Sequence, residues 1–338
     1  MASESTATDW LGAVADETDP EDGNDRPSNW GRWGDEDELG ALNLLTEDAV
    51  LAGIEAVSRG AVFTLGLPIA HPEGDPVWPG RHDADHHMVA DHGDFLAGKL
   101  ERASNNRGSD DVIYMFTHGT THFDALGHVW YGDALYNGFD LESTIGGLDR
   151  CGIEHQAAHG IVGRGVLLDV ARHRGVDRLP AGSRITLEEL KACADAQDVA
   201  IHERDIINVR TGVTELWYDE GPAAYRDAYF TDDDQMPADL PGITYSSDVI
   251  EWFAALDIPA YCTDTIGFEQ TVSDVTGTVH PLHRPLIRDL GVAGNELSNY
   301  RDLAADCADD GQWEFLYVAA PLGIVGGTGG PVNPVAIK

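Results

Sequence analysis

The chain from Thr117 to His128 reads Thr-His-Gly-Thr-Thr-His-Phe-Asp-Ala-Leu-Gly-His. Three histidines and one aspartate fall within these residues, at His118, His122, Asp124 and His128. Neutral imidazole and carboxylate together suit borderline divalent metals such as zinc and manganese. The spacing therefore predicts a divalent metal site on this stretch.

The residues around the histidines predict how the stretch is held. Asp111 to Thr117 form a short apolar run that is typical of a buried strand, and the glycine and threonines that follow break it. His122 and Asp124 are two positions apart, which in extended chain puts both side chains on one face. We expect the ligands to leave the end of a buried strand on a well-anchored loop.

The length and hydrophobicity of the chain allow a large core. It has 338 residues, of which 42% are hydrophobic, but it contains no run of 18 apolar residues that would predict a membrane span. Its first residues lack a basic region followed by an apolar segment, so no secretory signal is predicted. We expect a cytoplasmic protein.

The charge of the chain is strongly unbalanced. The formal net charge is −38, and the only lysines are Lys99, Lys191 and Lys338. This balance disfavours nucleic acid and anionic membranes as partners. Because arginine is kept while lysine is scarce, we interpret the charge as a halophilic adaptation to high salt, with an ordinary acidic cytosolic protein as the alternative.

Other parts of the sequence set limits on the organisation of the chain. Residues 1–27 are acidic and poor in apolar anchors, which predicts an N-terminal arm before a domain over residues 28–338. The four cysteines are widely separated, so buried reduced thiols are expected. No phosphate-binding glycine motif is present, so a nucleotide cofactor is not indicated.

The metal stretch resembles the signature of the metal-dependent cyclase family, which includes bacterial kynurenine formamidase and isatin hydrolase. The usual form of that signature is H-x-G-T-H-x-D-x-P-x-H. Here the glycine, Gly119, comes one position early and Leu126 replaces the proline. The resemblance extends over roughly residues 28 to 338.

The resemblance implies an architecture. It predicts a single α/β domain of the swivelling β/α type, with a central, partly closed mixed β-sheet flanked by helices. Members of the family usually assemble as dimers or tetramers, so a homodimer or homotetramer is expected. The implied cofactor is Zn²⁺ or Mn²⁺, with one or two ions per chain.

A second half of the site is implied near the end of the chain. A short helix is predicted from Pro285 to Gly291. The family places a histidine before such a helix and a glutamate after it, which correspond here to His283 and Glu296. His280 is an alternative to His283.

Several further residues are candidates for the site or its surroundings. Trp78 lies in a segment that resembles the substrate-side loop of the family, so it could form an aromatic wall or simply pack in a turn. Arg210 could bind a substrate carboxylate, although an internal salt bridge is favoured, and Asp264 follows a predicted strand where it could assist catalysis. A second group of histidines is interpreted as a solvated acidic loop, with pocket or metal contact as the alternative: His82, His86, His87 and His92.

The candidate residues suggest a hydrolytic mechanism. With His118, His122 and Asp124 as ligands, a divalent ion would activate water toward a carbonyl carbon, and Asp124 could bridge to a second ion. His128 is expected to carry the proton that a leaving nitrogen requires. If His128 is instead a third ligand, Glu296 or Asp264 would take that function.

We therefore expect a metal-dependent hydrolase that cleaves a C–N amide bond, of the arylformamide or cyclic amide type, in a small molecule. One alternative is a non-catalytic protein on the same scaffold that binds metal or a small ligand. Another is a lactone or cyclic imide hydrolase, which the sequence does not separate from an amidase.

Overall fold

A nine-stranded mixed β-sheet forms the centre of the protein in a computed structural model that describes residues 26–99, 106–233, 236–272 and 278–338. Nearly all of the predicted arm lies outside these residues. In order across the sheet, the strands are β1 (Val62–Thr64), β15 (Val335–Ile337), β13 (Glu314–Ala319), β5 (Ile161–Asp169), β7 (Ile206–Arg210), β11 (Ala260–Thr263), β12 (Ala293–Glu296), β4 (His122–Asp124) and β14 (Gly329–Pro331).

The middle of the sheet is parallel and its two sides are antiparallel. β5, β7, β11 and β12 pair in parallel, whereas the neighbouring pairs on either side run antiparallel. Parallel strands need long crossover connections, which bring helices onto the faces of the sheet. β7 and β11 are buried at every residue, as this arrangement requires.

Helices connect the strands and cover the sheet. The described α-helices are α1 (Glu47–Glu55), α2 (His92–Leu96), α3 (Ile153–His159), α4 (Val170–His173), α5 (Leu187–Ala196), α6 (Val213–Tyr229), α7 (Ser247–Ala255) and α8 (Arg301–Asp310). Local capping explains two of their starts, because the side chain of Thr186 accepts from the amide of Glu189 and that of Ser246 from the amide of Val249. A π-helical turn, Arg284–Asp289, occupies the position where the sequence predicted a short helix.

In the described parts of the chain, three two-stranded sheets lie outside the central sheet. They pair β2 (Asp85–Ala90) with β3 (Asp110–Tyr114), β6 (Arg184–Ile185) with β10 (Gly242–Ile243), and β8 (Phe230–Asp233) with β9 (Met236–Ala238). The prediction of a buried strand before the metal stretch is wrong, because all five residues of β3 are exposed. An apolar run predicts a strand but not what covers it, and among the described residues β3 pairs only with β2, which is itself mostly exposed.

The fold-class prediction, a mixed sheet flanked by helices, is confirmed. All four cysteines are buried free thiols, as expected. In the described residues, no helix is both long and apolar enough to cross a membrane.

Candidate metal centre

The site is built around β4, which lies between β12 and β14 in the sheet. The antiparallel register with β12 places Glu296 directly opposite His122. The register with β14 places Gly329 opposite Asp124. Residues from the middle and the end of the chain therefore meet at one strand.

The first group of potential ligands comes from the metal stretch itself. One ligand atom from each of His118, His122 and Asp124 lies within 4.8 Å of the others. Oδ1 of Asp124 is 3.3 Å from Nε2 of His122 and 3.6 Å from Nε2 of His118. All three side chains are buried. The extended conformation predicted for His122 and Asp124 is present as strand β4.

The second group shares Asp124 with the first. Asp124, His283 and Glu296 also bring one ligand atom each within 4.8 Å of one another. Nε2 of His283 is 3.1 Å from Oε1 of Glu296 and 3.8 Å from Oδ2 of Asp124. The two oxygens of Asp124 thus face different histidines, the arrangement that a carboxylate shared by two ions would have.

The carboxylate of Asp124 tests whether a metal fits here. Both of its oxygens are buried, and neither has a hydrogen-bond partner in the part of the chain that the structure describes. A buried carboxylate without partners is strongly unfavourable unless a cation neutralises it. Imidazole nitrogens and carboxylate oxygens are ligands that zinc and manganese accept. The residues present therefore fit a divalent metal.

Glu269 orients His283 from behind. Its Oε1 is 2.6 Å from Nδ1 of His283 and also accepts from the backbone amide of that residue. Burial by itself lowers the pKa of His283, but the hydrogen bonds to Glu269 and Glu296 outweigh it and raise the pKa to about 10. In Glu296 burial acts to raise the pKa, but the hydrogen bond from His283 and the charge of His122 outweigh it and hold the pKa well below its usual range.

The two histidines of the metal stretch are held by backbone groups. Nδ1 of His122 lies 2.7 Å from the carbonyl oxygen of Thr120, which leaves Nε2 to face Asp124. His118 packs against Gly329, where a Cβ atom would lie 2.3 Å from its Nε2. Gly329, in the glycine-rich stretch near the end of the chain, therefore borders a candidate ligand.

His128 lies at the edge of the same cluster. Its ring centroid is 4.2 Å from that of His118, and its Nε2 is 3.9 Å from Oδ1 of Asp124. Its side chain is 24% exposed, whereas those of His118, His122 and His283 are 7% exposed or less. Burial lowers the pKa of His128, with the negative charge of Asp124 acting in the opposite direction. A neutral, partly exposed imidazole is able to exchange protons beside the ligands.

Trp78 and His280 form the side of the cluster beyond His283. Their ring centroids are 5.1 Å apart, and the ring of His280 is 4.8 Å from that of His283. Nδ1 of His280 is buried and has no hydrogen-bond partner among the described residues. His283, not its alternative His280, is the histidine that approaches Glu296 and Asp124. His280 instead belongs to a third group, in which one ligand atom each of Glu269, His280 and His283 lies within 4.8 Å of the others.

Arg210 and Asp264 lie in contacts that hold the fold together. Arg210 pairs with Asp169 and Glu215, which agrees with the favoured internal salt bridge. The carboxylate of Asp264 accepts hydrogen bonds from Thr211 and from the backbone amide of Gly212, at the start of α6. We therefore assign Asp264 to the anchoring of that helix.

The second group of histidines is solvated, as interpreted from the sequence. His82, His86, His87 and His92 are all exposed. His86 pairs with Asp111 on β3, and the ring of His82 stacks on that of Tyr114 at a centroid distance of 5.2 Å.

Three residues at the site were not predicted from the sequence. Glu269 and Gly329 contact candidate ligands through the folding of distant segments, and Arg81 donates from Nη1 to the carbonyl oxygen of His118 at 2.9 Å. Arg81 follows the Trp78 segment, so its position there was the only available hint. A lone arginine or glycine does not predict a site.

Comparisons with known proteins show which family and which folds this chain resembles. The family model for cyclases, "Putative cyclase", matches residues 63–270. A crystal structure of a novel cyclase is 35% identical, over 93% of this chain and 100% of that one, with a TM-score of 0.82. Isatin hydrolase A from Labrenzia aggregata is 19% identical over 88% of this chain and 98% of that chain, with a TM-score of 0.57. Isatin hydrolase A from Ralstonia solanacearum is 18% identical over 86% of this chain and 97% of that chain, with a TM-score of 0.58. No curated protein matches significantly.

The fold and the site together define an α/β protein in which three overlapping groups of described side chains could hold divalent metal. The chain belongs to the cyclase family, because the family model matches more than half of it and a solved cyclase is 35% identical over nearly its whole length.

Proposed function

We propose that the protein is a metal-dependent hydrolase that cleaves a C–N amide bond, of the arylformamide or cyclic amide type, in a small molecule. The observation that carries this proposal is the buried carboxylate of Asp124, which has no hydrogen-bond partner among the described residues and lies between His118, His122 and His283. These residues and Glu296 would hold the ion or ions. Two isatin hydrolases share the fold, which supports a reaction of this kind.

The ion, once bound, would polarise a substrate carbonyl and lower the pKa of a water molecule, which are the two contributions that hydrolysis of an amide needs most. Glu296 is suited to ligation because the hydrogen bond from His283 and the charge of His122 keep it ionised. Glu269 fixes the ring of His283 so that Nε2, and not Nδ1, faces the other ligands.

His128 is the residue that we assign to proton transfer. Its lowered pKa leaves the imidazole neutral near neutral pH, so Nε2 can accept a proton from the attacking water. The same proton can then be given to the leaving nitrogen, which an amide requires before it departs. The partial exposure of His128 supports this assignment, because a substrate can reach an exposed side chain.

Trp78 and His280 would bind the organic part of the substrate. Trp78 offers an aromatic surface beside the cluster. Burial and the charge of His283 lower the pKa of His280 to about 3, so its ring is neutral and can pack against an aromatic substrate. An aryl or cyclic amide therefore suits this side of the site better than an aliphatic one.

The proposal is tested by combining metal analysis with a substrate panel. Purified protein is analysed for zinc and manganese, and hydrolysis of N-formylkynurenine, isatin and related amides is measured in molar salt with either ion added. We expect at least one bound ion per chain and hydrolysis of at least one amide that stops on chelation and returns with metal. Bound metal without any hydrolysis would favour a non-catalytic binding protein, and hydrolysis of lactones alone would change the bond assigned here.

A further inference from the structure

Arg81 is a cation beside the metal cluster, and it has no acidic partner among the described residues. Its side chain is partly buried, and its Nη1 donates a hydrogen bond to the carbonyl oxygen of His118 at 2.9 Å. Within the parts of the chain that the structure describes, the guanidinium forms no salt bridge and no other side-chain hydrogen bond. Several of its N–H donors are therefore available to a ligand.

Two other arginines of similar burial are paired with acids. Arg164 lies 2.6 Å from Asp205, and Arg288 lies 2.7 Å from Asp289. Arg81, by contrast, has no acidic partner among the described residues, and it lies beside the candidate ligands.

The position of Arg81 connects the two sides of the cluster. Its backbone amide donates to the carbonyl oxygen of Trp78, so both residues belong to one turn. Trp78 lies against His280 on one side, and the guanidinium reaches His118 on the other. A ligand between the aromatic wall and the histidines would pass Arg81.

The charge of the Arg81 guanidinium interacts with charged and titratable groups of the same cluster. Burial lowers the pKa of Arg81, and the charges of Glu296 and Asp124 act against that shift. Burial is the largest cause of the lowered pKa values of His118, His128 and His280, and the positive charge of Arg81 also contributes to them. Arg81 therefore acts on both the candidate ligands and the candidate substrate wall.

We propose that Arg81 binds a carboxylate carried by the substrate next to the scissile amide, so that the site selects anionic aryl amides over neutral ones. A guanidinium matches a carboxylate because its parallel N–H donors meet both oxygens in one plane. This inference rests on the proposed hydrolase function, since it defines the substrate class of that reaction.

The experiment compares two substrates that differ by one carboxylate, N-formylanthranilate and formanilide, at one fixed salt concentration with metal-loaded protein. In R81Q we expect kcat/KM for N-formylanthranilate to fall by about 10- to 100-fold, mainly through KM, because a charge-assisted contact is lost. Cleavage of formanilide should change less than about threefold, and R81K should retain part of the preference. R59Q serves as the matched control, because Arg59 precedes β1 at the opposite edge of the sheet and pairs with Asp306 on the surface.

Each result decides for or against the assignment. An equal loss for both substrates would show that Arg81 only holds the loop of His118, and no change in either would exclude it from the site; both overturn the inference. If the wild type cleaves neither compound, hydrolysis of aryl amides fails as a function, and calorimetric titration with anthranilate and aniline decides the inference separately. Anthranilate binding that is lost in R81Q supports it, while binding that is absent or unaffected by R81Q overturns it.

Discussion

Nδ1 of His283 lies 2.6 Å from Oε1 of Glu269, on the side of the ring that faces away from the other candidate ligands. Glu269 also accepts hydrogen bonds from the backbone amides of Leu282 and His283. These bonds hold the carboxylate in the position from which it orients the imidazole. This contact selects the tautomer in which Nε2 faces Glu296 and Asp124. Glu269 is thus a positioning residue for one half of the site.

Replacing Glu269 by glutamine should weaken metal binding. An amide does not hold the imidazole in one tautomer as a carboxylate does, so we expect the affinity for zinc or manganese to fall by about 10- to 100-fold. Competition titration against a coloured chelator measures this change. Glu55→Gln, on the exposed face of α1, is the matched control. An unchanged affinity in a folded variant would remove Glu269 from the site.

Gly329→Ala tests the close packing on His118. The added Cβ would lie 2.3 Å from Nε2 of His118, so either the ring or β14 has to move. We expect a lower metal content after dialysis and a lower melting temperature. Gly323→Ala adds the same atom where its nearest neighbour is 3.5 Å away, an ordinary contact, and should behave like the wild type. Equal metal content in both variants would contradict this reading of the glycine.

His128→Ala separates proton transfer from metal ligation. If His128 carries the proton, the variant should keep its metal and lose about 100- to 10,000-fold in kcat on a substrate cleaved by the wild type. Metal analysis and steady-state kinetics on the same preparation measure both quantities. His159→Ala, at an exposed helix end, provides the control. Loss of metal in His128→Ala would instead make His128 a third ligand.

Asp264→Asn should affect stability and leave the metal unchanged. The carboxylate accepts hydrogen bonds from the backbone amides of Thr211 and Gly212 and from the hydroxyl of Thr211. The side-chain amide of asparagine can accept only some of these hydrogen bonds. We expect the free energy of unfolding to fall by about 2 kcal/mol, measured by denaturant titration. Asp309→Asn, an exposed site, should show little change. A variant with normal stability but reduced turnover would return Asp264 to a catalytic assignment.

Short stretches of the sequence are enough to predict much of the fold. The buried strands β5, β7 and β11 and the capped helices α5 and α7 follow from apolar runs and capping residues, which act over a few positions. The strand β3 was also found by its pattern, but its burial was predicted wrongly because burial depends on what another segment places over it. The same limit explains why Glu269 and Arg81 were missed.

The sequence alone determined which side chains could bind metal, because the ligand chemistry and the two-residue spacing of His122 and Asp124 are local properties. Only the tertiary structure decided how the two halves meet. Strand register placed Glu296 opposite His122, and the return of the chain brought the carbonyl of Thr328 to 3.2 Å from Nε2 of His118, across 210 positions. Such contacts arise from packing between distant segments, and no pattern within a single segment encodes them.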